Sequence, residues 1–279
     1  MNKYQELVEK GVRNIVQHKW HKIFTMDEGV AREQFLKDIC AQSPIIPNYG
    51  EDQCSGIYIH DRNHLTDGIV PKNAKNAFEK VVREYYNLLI FRSIIAKIVE
   101  EIRDVEILRN LLGDTKKWSD FKGSTFTELF NDIDASLTIL YSCYQELITM
   151  GEVEYVFIGN KPIELYDIEF IIGRLHRTLG NSYSNFALIF DADKNLSKTS
   201  KQAINSHISK RTKGYKVNVI CERKIITRKD LIDENEKITI KTDDWGIYHD
   251  FQGDIIEDPN DYITRDYTDE LNEAYKLRR

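Results

Sequence analysis

Two stretches decide the fold class: Phe186-Ala187-Leu188-Ile189-Phe190 and Val217-Asn218-Val219-Ile220-Cys221, with residues 196–213 between them. The first is a continuous apolar run, the pattern of a strand buried on both faces. The second is a β-like run of the same length. Residues 196–213 look helical, so the whole reads as a strand–helix–strand unit with parallel strands and a right-handed crossover. Working outward, Val153-Glu154-Tyr155-Val156-Phe157-Ile158 is β-like, Gly159-Asn160-Lys161-Pro162 is a turn, and 167–179 is helical. Downstream, Ile238-Thr239-Ile240 is a further strand candidate, and 265–277 is a charged helix or tail.

The front half has a different texture. Leu7, Val8, Val12, Ile15, Val16 and Ile23 recur at helical spacing and predict a helix over 2–22. A second helix fits 28–41, with Val30, Phe35, Leu36 and Ile39 on one face; Pro44 and Pro47 end it. Gly56-Ile57-Tyr58-Ile59-His60 is a short strand in an irregular region. From 73 to 112 a broad apolar stripe predicts one long helix, closed by Gly113-Asp114, and another helix spans about 125–150. The expectation is an α+β or α/β protein. A bundle-like helical domain covers 1–150, and a small α/β domain with a βαβ unit and an acidic C-terminal segment covers 151–279.

With 279 residues, 41% hydrophobic and 30% charged, the composition is that of a globular protein with a real core. A net charge of −6 excludes a surface that coats nucleic acid everywhere, while leaving room for a local basic patch. No apolar run reaches the roughly 18 residues of a membrane span, and Met1 to Lys22 has no apolar signal core. Cys40, Cys54, Cys143 and Cys221 lie far apart with no C-x-x-C pair, so a reduced cytoplasmic protein is expected. The P-loop, dinucleotide, nucleophile-elbow and H-E-x-x-H patterns are absent, which removes the simplest readings that rest on them.

Candidate chemistry gathers behind the two deciding strands. Asp191-Ala192-Asp193 follows the first and Glu222-Arg223-Lys224 the second. In an open parallel sheet, ligands bind beyond the carboxyl ends of the strands. If the strands are neighbours, Asp191, Asp193 and Glu222 converge there as hard oxygen ligands for Mg²⁺. Such a site activates water and steadies a leaving oxygen in phosphodiester cleavage, and Lys224 would meet the developing negative charge. The competing structural role is helix capping near Leu196 by Asp191, Asp193, Asn195 or Ser197.

Asp191 with Glu222-x-Lys224 also resembles the D…(D/E)xK pattern of PD-(D/E)XK nucleases, although that family joins its motif strands by a hairpin and here a helix intervenes. Asp191-x-Asp193 after a strand is similar to metal sites of Toprim-type and other Rossmann-like enzymes. No upstream glutamate motif accompanies it, and neither family is assigned.

Charge is segregated as well. Lys194, Lys198, Lys201, Lys210, Arg211 and Lys213 belong to a basic run over 194–229 whose only acid is Glu222. Such a run attracts phosphates, unless the acidic residues of 230–273 fold onto it. Cys54, His60 and His64 form a weak zinc or dyad candidate. Trp245, Tyr248, His249 and Phe251 form a weak stacking candidate. The expected function is Mg²⁺-dependent cleavage of nucleic acid. The alternatives are non-catalytic binding of nucleic acid or a nucleotide, or a subunit that assembles as a homo-oligomer or with a partner through the 78–111 helix.

Overall fold

A computed structural model describes residues 3–17, 22–26, 29–45, 54–61, 63, 65, 74–119, 123–150, 168–169, 172–174, 177, 185–191, 196–209, 215–221, 240–242, 246–248, 263–266 and 271–274. Its strands are β1 (Lys22–Thr25), β2 (Cys54–His60), β3 (Asn185–Asp191), β4 (Tyr215–Cys221), β5 (Ile240–Thr242), β6 (Gly246–Tyr248) and β7 (Ile263–Asp266). Its helices are α1 (Lys3–Gly11), α2 (Val30–Ala41), α3 (Lys75–Glu101), α4 (Val105–Ser119), α5 (Phe126–Met150) and α6 (Lys198–Ser209), and a π-helical segment, Val12–Val16, extends α1.

The mixed class is the one expected. Five strands form one sheet in the order β2-β3-β4-β1-β7, and β5 pairs separately with β6. Every pairing in the larger sheet is parallel. The β3-α6-β4 unit is present, with Leu188 opposite Val217 and Asp191 opposite Ile220.

The chain divides into two discontinuous units. One comprises Met1–His60, Ser184–Lys194 and Asn205–Arg279; the other comprises Asp61–Tyr183 and Asn195–Ile204. A boundary at residue 150 would part β1 and β2 from the strands that they pair with. The front of the chain therefore belongs to the sheet unit, and the helical unit is formed mainly by the segment that follows β2.

In the sheet unit, alternation sends Tyr58, Ala187, Ile189 and Ile220 to one face, where they meet Leu7, Ile15, Phe35 and Leu36. Gly11 is where α1 crosses α2: a Cβ there would lie 2.7 Å from the Phe35 ring. Asn218, fully buried, donates to the Ile15 carbonyl at 2.7 Å and so satisfies a backbone group of the π-helical segment. The end of α6 meets the opposite face, where His207 Nδ1 lies 3.2 Å from the Tyr215 hydroxyl.

In the helical unit, α3 packs on α5, with Phe78 and Tyr144 rings 5.4 Å apart. The single helix expected over 73–112 is two. Ile102 turns extended (ψ 119) and ends α3. Asp104 Oδ1 then accepts the Glu106 and Ile107 N–H groups at 2.8 and 3.1 Å, opening α4. Helix α4 runs on through Gly113, and Arg174 grips Asp114 at 2.8 and 3.0 Å. Helix α5 opens with a reciprocal capping box: Glu128 N–H donates to Thr125 Oγ1 at 3.2 Å, and Thr125 N–H donates to Glu128 Oε2 at 3.1 Å. The α3 stripe that was expected to face a partner is buried within the chain, including Val82, Ile90, Phe91, Ile95 and Ile98. Among the described residues no helix is long and apolar enough to cross a membrane.

Candidate functional site at the carboxyl edge of the sheet

The premise of the expected site holds at the level of topology: β3 and β4 are parallel neighbours, so their carboxyl ends share one edge. Asp191 ends β3 and sits opposite His60, the last residue of β2. Period-two alternation puts Asp191, His60 and Tyr58 on the face that α2 covers.

Gly29 directly precedes α2, and its φ of 144° lies in the range that favours glycine. Three residues on, Arg32 is buried, at 2% exposure. One Nη1 donates to the Met26 carbonyl, just past β1, at 3.1 Å; Nη2 donates to the Ile220 carbonyl of β4 at 3.3 Å and to Asp191 Oδ1. One guanidinium thus ties together the ends of three neighbouring strands, β3, β4 and β1. The other carboxylate oxygen, Oδ2, accepts the Tyr58 hydroxyl at 2.8 Å and lies 3.9 Å from His60 Nδ1. Burial, followed by the Asp191 charge, pushes the Tyr58 phenol far above its ordinary range, so it remains a donor. His60 stacks on Tyr58, ring centroids 5.9 Å apart, with its own side chain one-third exposed at 33%.

Asp191 does not cap α6. Ser197 does, accepting the Ser200 N–H at 2.9 Å. The Asp191 side chain keeps 12% exposure. A carboxylate has about four lone-pair positions, and one hydrogen bond on each oxygen leaves capacity for a further ligand.

The other expected residues are distributed as follows. Asp193, Glu222 and Lys224 lie outside the described residues, as do Lys194, Lys210, Arg211 and Lys213; Lys198 is placed only as the first residue of α6. Lys201 is buried at 3% exposure, so it is not part of a solvent-facing basic patch. Cys54 and His60 occupy opposite ends of β2, roughly 20 Å apart at about 3.3 Å per residue, which separates the expected dyad. His64 lies outside the described residues, and of the aromatic group only Tyr248 falls among them. Most of the acidic stretch and all of the 153–158 run likewise lie outside the described residues. Among the described residues no group of three or more His, Cys, Asp or Glu side chains is placed to hold a metal ion.

Two features that bear on the candidate site escaped the sequence reading. Arg32 looked like one more polar position on α2. The pair Asp27-Glu28 was hidden because Lys22–Thr25 read as the end of a helix. Those residues form β1, and Asp27 and Glu28 follow it in the chain, outside the described residues. The signal was an acid pair followed by Gly29 at the start of a helix. In the sequence it is an acid pair upstream of Asp191-x-Asp193.

Fold and site together define a parallel α/β protein with a helical unit and a polar cluster at the carboxyl edge of its sheet. Compared with family models, curated proteins and solved structures, the chain matches none of them.

Proposed function

We propose that the protein is a Mg²⁺-dependent enzyme that cleaves phosphodiester bonds in nucleic acid, with Asp191 at its centre. The observation that carries this reading is the place of Asp191: the carboxyl end of an interior parallel strand, its carboxylate oriented by two donors and still open to solvent. Parallel α/β sheets take their ligands at that edge. Mg²⁺ is typically held by one or two carboxylates, with waters and substrate phosphates completing the shell. In the sequence, acids follow β1, β3 and β4, and we assign Glu28, Asp193 and Glu222 as the further ligand candidates beside Asp191.

When bound, Mg²⁺ would supply Lewis acidity and lower the pKa of a bound water. The chain's own residues do the remainder. Arg32 and Tyr58 orient the Asp191 carboxylate. Lys224 offers an ammonium to developing negative charge. Lys194, Lys198, Lys210, Arg211 and Lys213 bind the phosphate backbone, in a salt-dependent manner. The 78–111 helix has no part in this reading.

A second reading is favoured by one observation. Arg32 already balances the Asp191 charge, which suits a non-catalytic edge that binds nucleic acid or a nucleotide without metal. Incubation with single- and double-stranded DNA and RNA, in Mg²⁺ and in EDTA, separates the two. The enzyme reading expects cleavage in Mg²⁺ alone and its loss in Asp191→Asn. Salt-sensitive binding without cleavage would replace it with the second reading.

A further inference from the structure

We infer that Arg32 is the positioning residue of this site: it aims the Asp191 carboxylate at the ligand. The inference rests on the reading of this edge as a Mg²⁺ site. A buried guanidinium needs acceptors on its donors, because an unmatched charge in the interior is costly. Its acceptors among the described residues include Met26 O, Ile220 O and Asp191 Oδ1, each at a different strand end. Two of them are backbone carbonyls: Ile220 lies within the parallel sheet, and Met26 directly follows β1. The carboxylate is the only one of the three that can rotate, so the rigid pair sets the orientation of the flexible group. Tyr58 completes the hold from the other oxygen at 2.8 Å. A planar fork that bridges several acceptors at once is arginine chemistry; a lysine ammonium keeps the charge without the fixed directions.

The same geometry raises an opposing effect, and its sign makes the inference testable. Arg32 and a divalent cation would both be drawn to Asp191. By Coulomb's law alone, removing the guanidinium should tighten cation binding. Positioning predicts the reverse, because loss of the partner that orients a metal ligand typically lowers affinity about 10–100-fold.

The experiment titrates Mn²⁺ into the full-length protein, without substrate, and follows free Mn²⁺ by electron paramagnetic resonance. The proteins are wild type, Arg32→Gln and Arg32→Lys, each checked for folding by circular dichroism. The expected result is weaker binding in Arg32→Gln by about 10–100-fold, with Arg32→Lys between it and wild type. Should Arg32→Gln not fold, Arg32→Lys, which keeps the buried charge, decides alone by weaker binding than wild type. Unchanged or tighter Mn²⁺ binding in a folded variant overturns the positioning role while leaving the metal site standing. If wild type binds no Mn²⁺, the metal reading fails first and Arg32 loses its assigned role with it.

Discussion

Asp61 and Asp191 are both largely buried carboxylates that accept tyrosine hydroxyls, yet their surroundings differ in kind. Asp61 takes only neutral donors: Tyr85 at 2.7 Å and the Asn63 N–H at 3.1 Å on Oδ1, and Tyr86 at 2.9 Å on Oδ2. Burial first, and then the Asp61 charge, drives both phenols well above their ordinary range and keeps them protonated donors. Asp191 has a guanidinium on one oxygen and a phenol on the other. It is partly exposed, whereas Asp61 is buried. The first carboxylate is closed, and it pins its own segment to α3. The second is balanced in charge, oriented and open. Burial alone does not tell the two acids apart; the residual opening and the guanidinium behind Asp191 do.

The largest effect expected from this contrast is on stability, at the closed acid. Asp61→Ala leaves two phenols and one backbone N–H without their acceptor, a loss of about 3 kcal/mol in urea unfolding. Mn²⁺ affinity per folded molecule should stay at the wild-type value. A fall in Mn²⁺ affinity matching that of Arg32→Gln would erase the distinction between the two carboxylates.

A smaller effect concerns a third acid, fully exposed, which works through hydrogen bonds without burial. The Ser124 and Thr125 N–H groups lower the Glu128 pKa at the start of α5. Its contribution is therefore present above the unfolded pKa, about 4.3, and is lost as pH falls through the lower folded value. Amide exchange at Ser124 and Thr125 should lose protection as pH falls below the unfolded value of about 4.3. Protection that stays constant over that range would remove the capping box from the account.

Much of this was legible from local pattern. The β3 run declared itself because a strand buried on both faces is apolar without interruption, β4 was readable from its β-branched residues despite Asn218, and Asp191 followed from the end of β3. The helices at 28–41 and 125–150 were readable from apolar spacing. The break at Ile102 was not, because no glycine or proline marks it; the cap comes from Asp104, whose role depends on backbone geometry. Strand β1 is only four residues long, and Ile23 continues the spacing of Ile15 and Val16, so it read as helix. Strand β7, at Ile263–Asp266, lies within a largely polar stretch and pairs with β1, which itself went unread. The position of β1 between β4 and β7 is a non-local pairing that no window of sequence encodes. Arg32 escaped for the same reason. Its importance comes from three acceptors brought together from distant parts of the chain.

The central claim is that the Asp191 edge holds a divalent cation. A crystal grown with Mn²⁺ and a non-cleavable oligonucleotide tests it most directly through anomalous scattering. The account predicts a peak within roughly 2–2.5 Å of an Asp191 carboxylate oxygen, as expected for a hard cation on oxygen ligands. Well-ordered nucleic acid at that edge with no anomalous peak near Asp191 would contradict it.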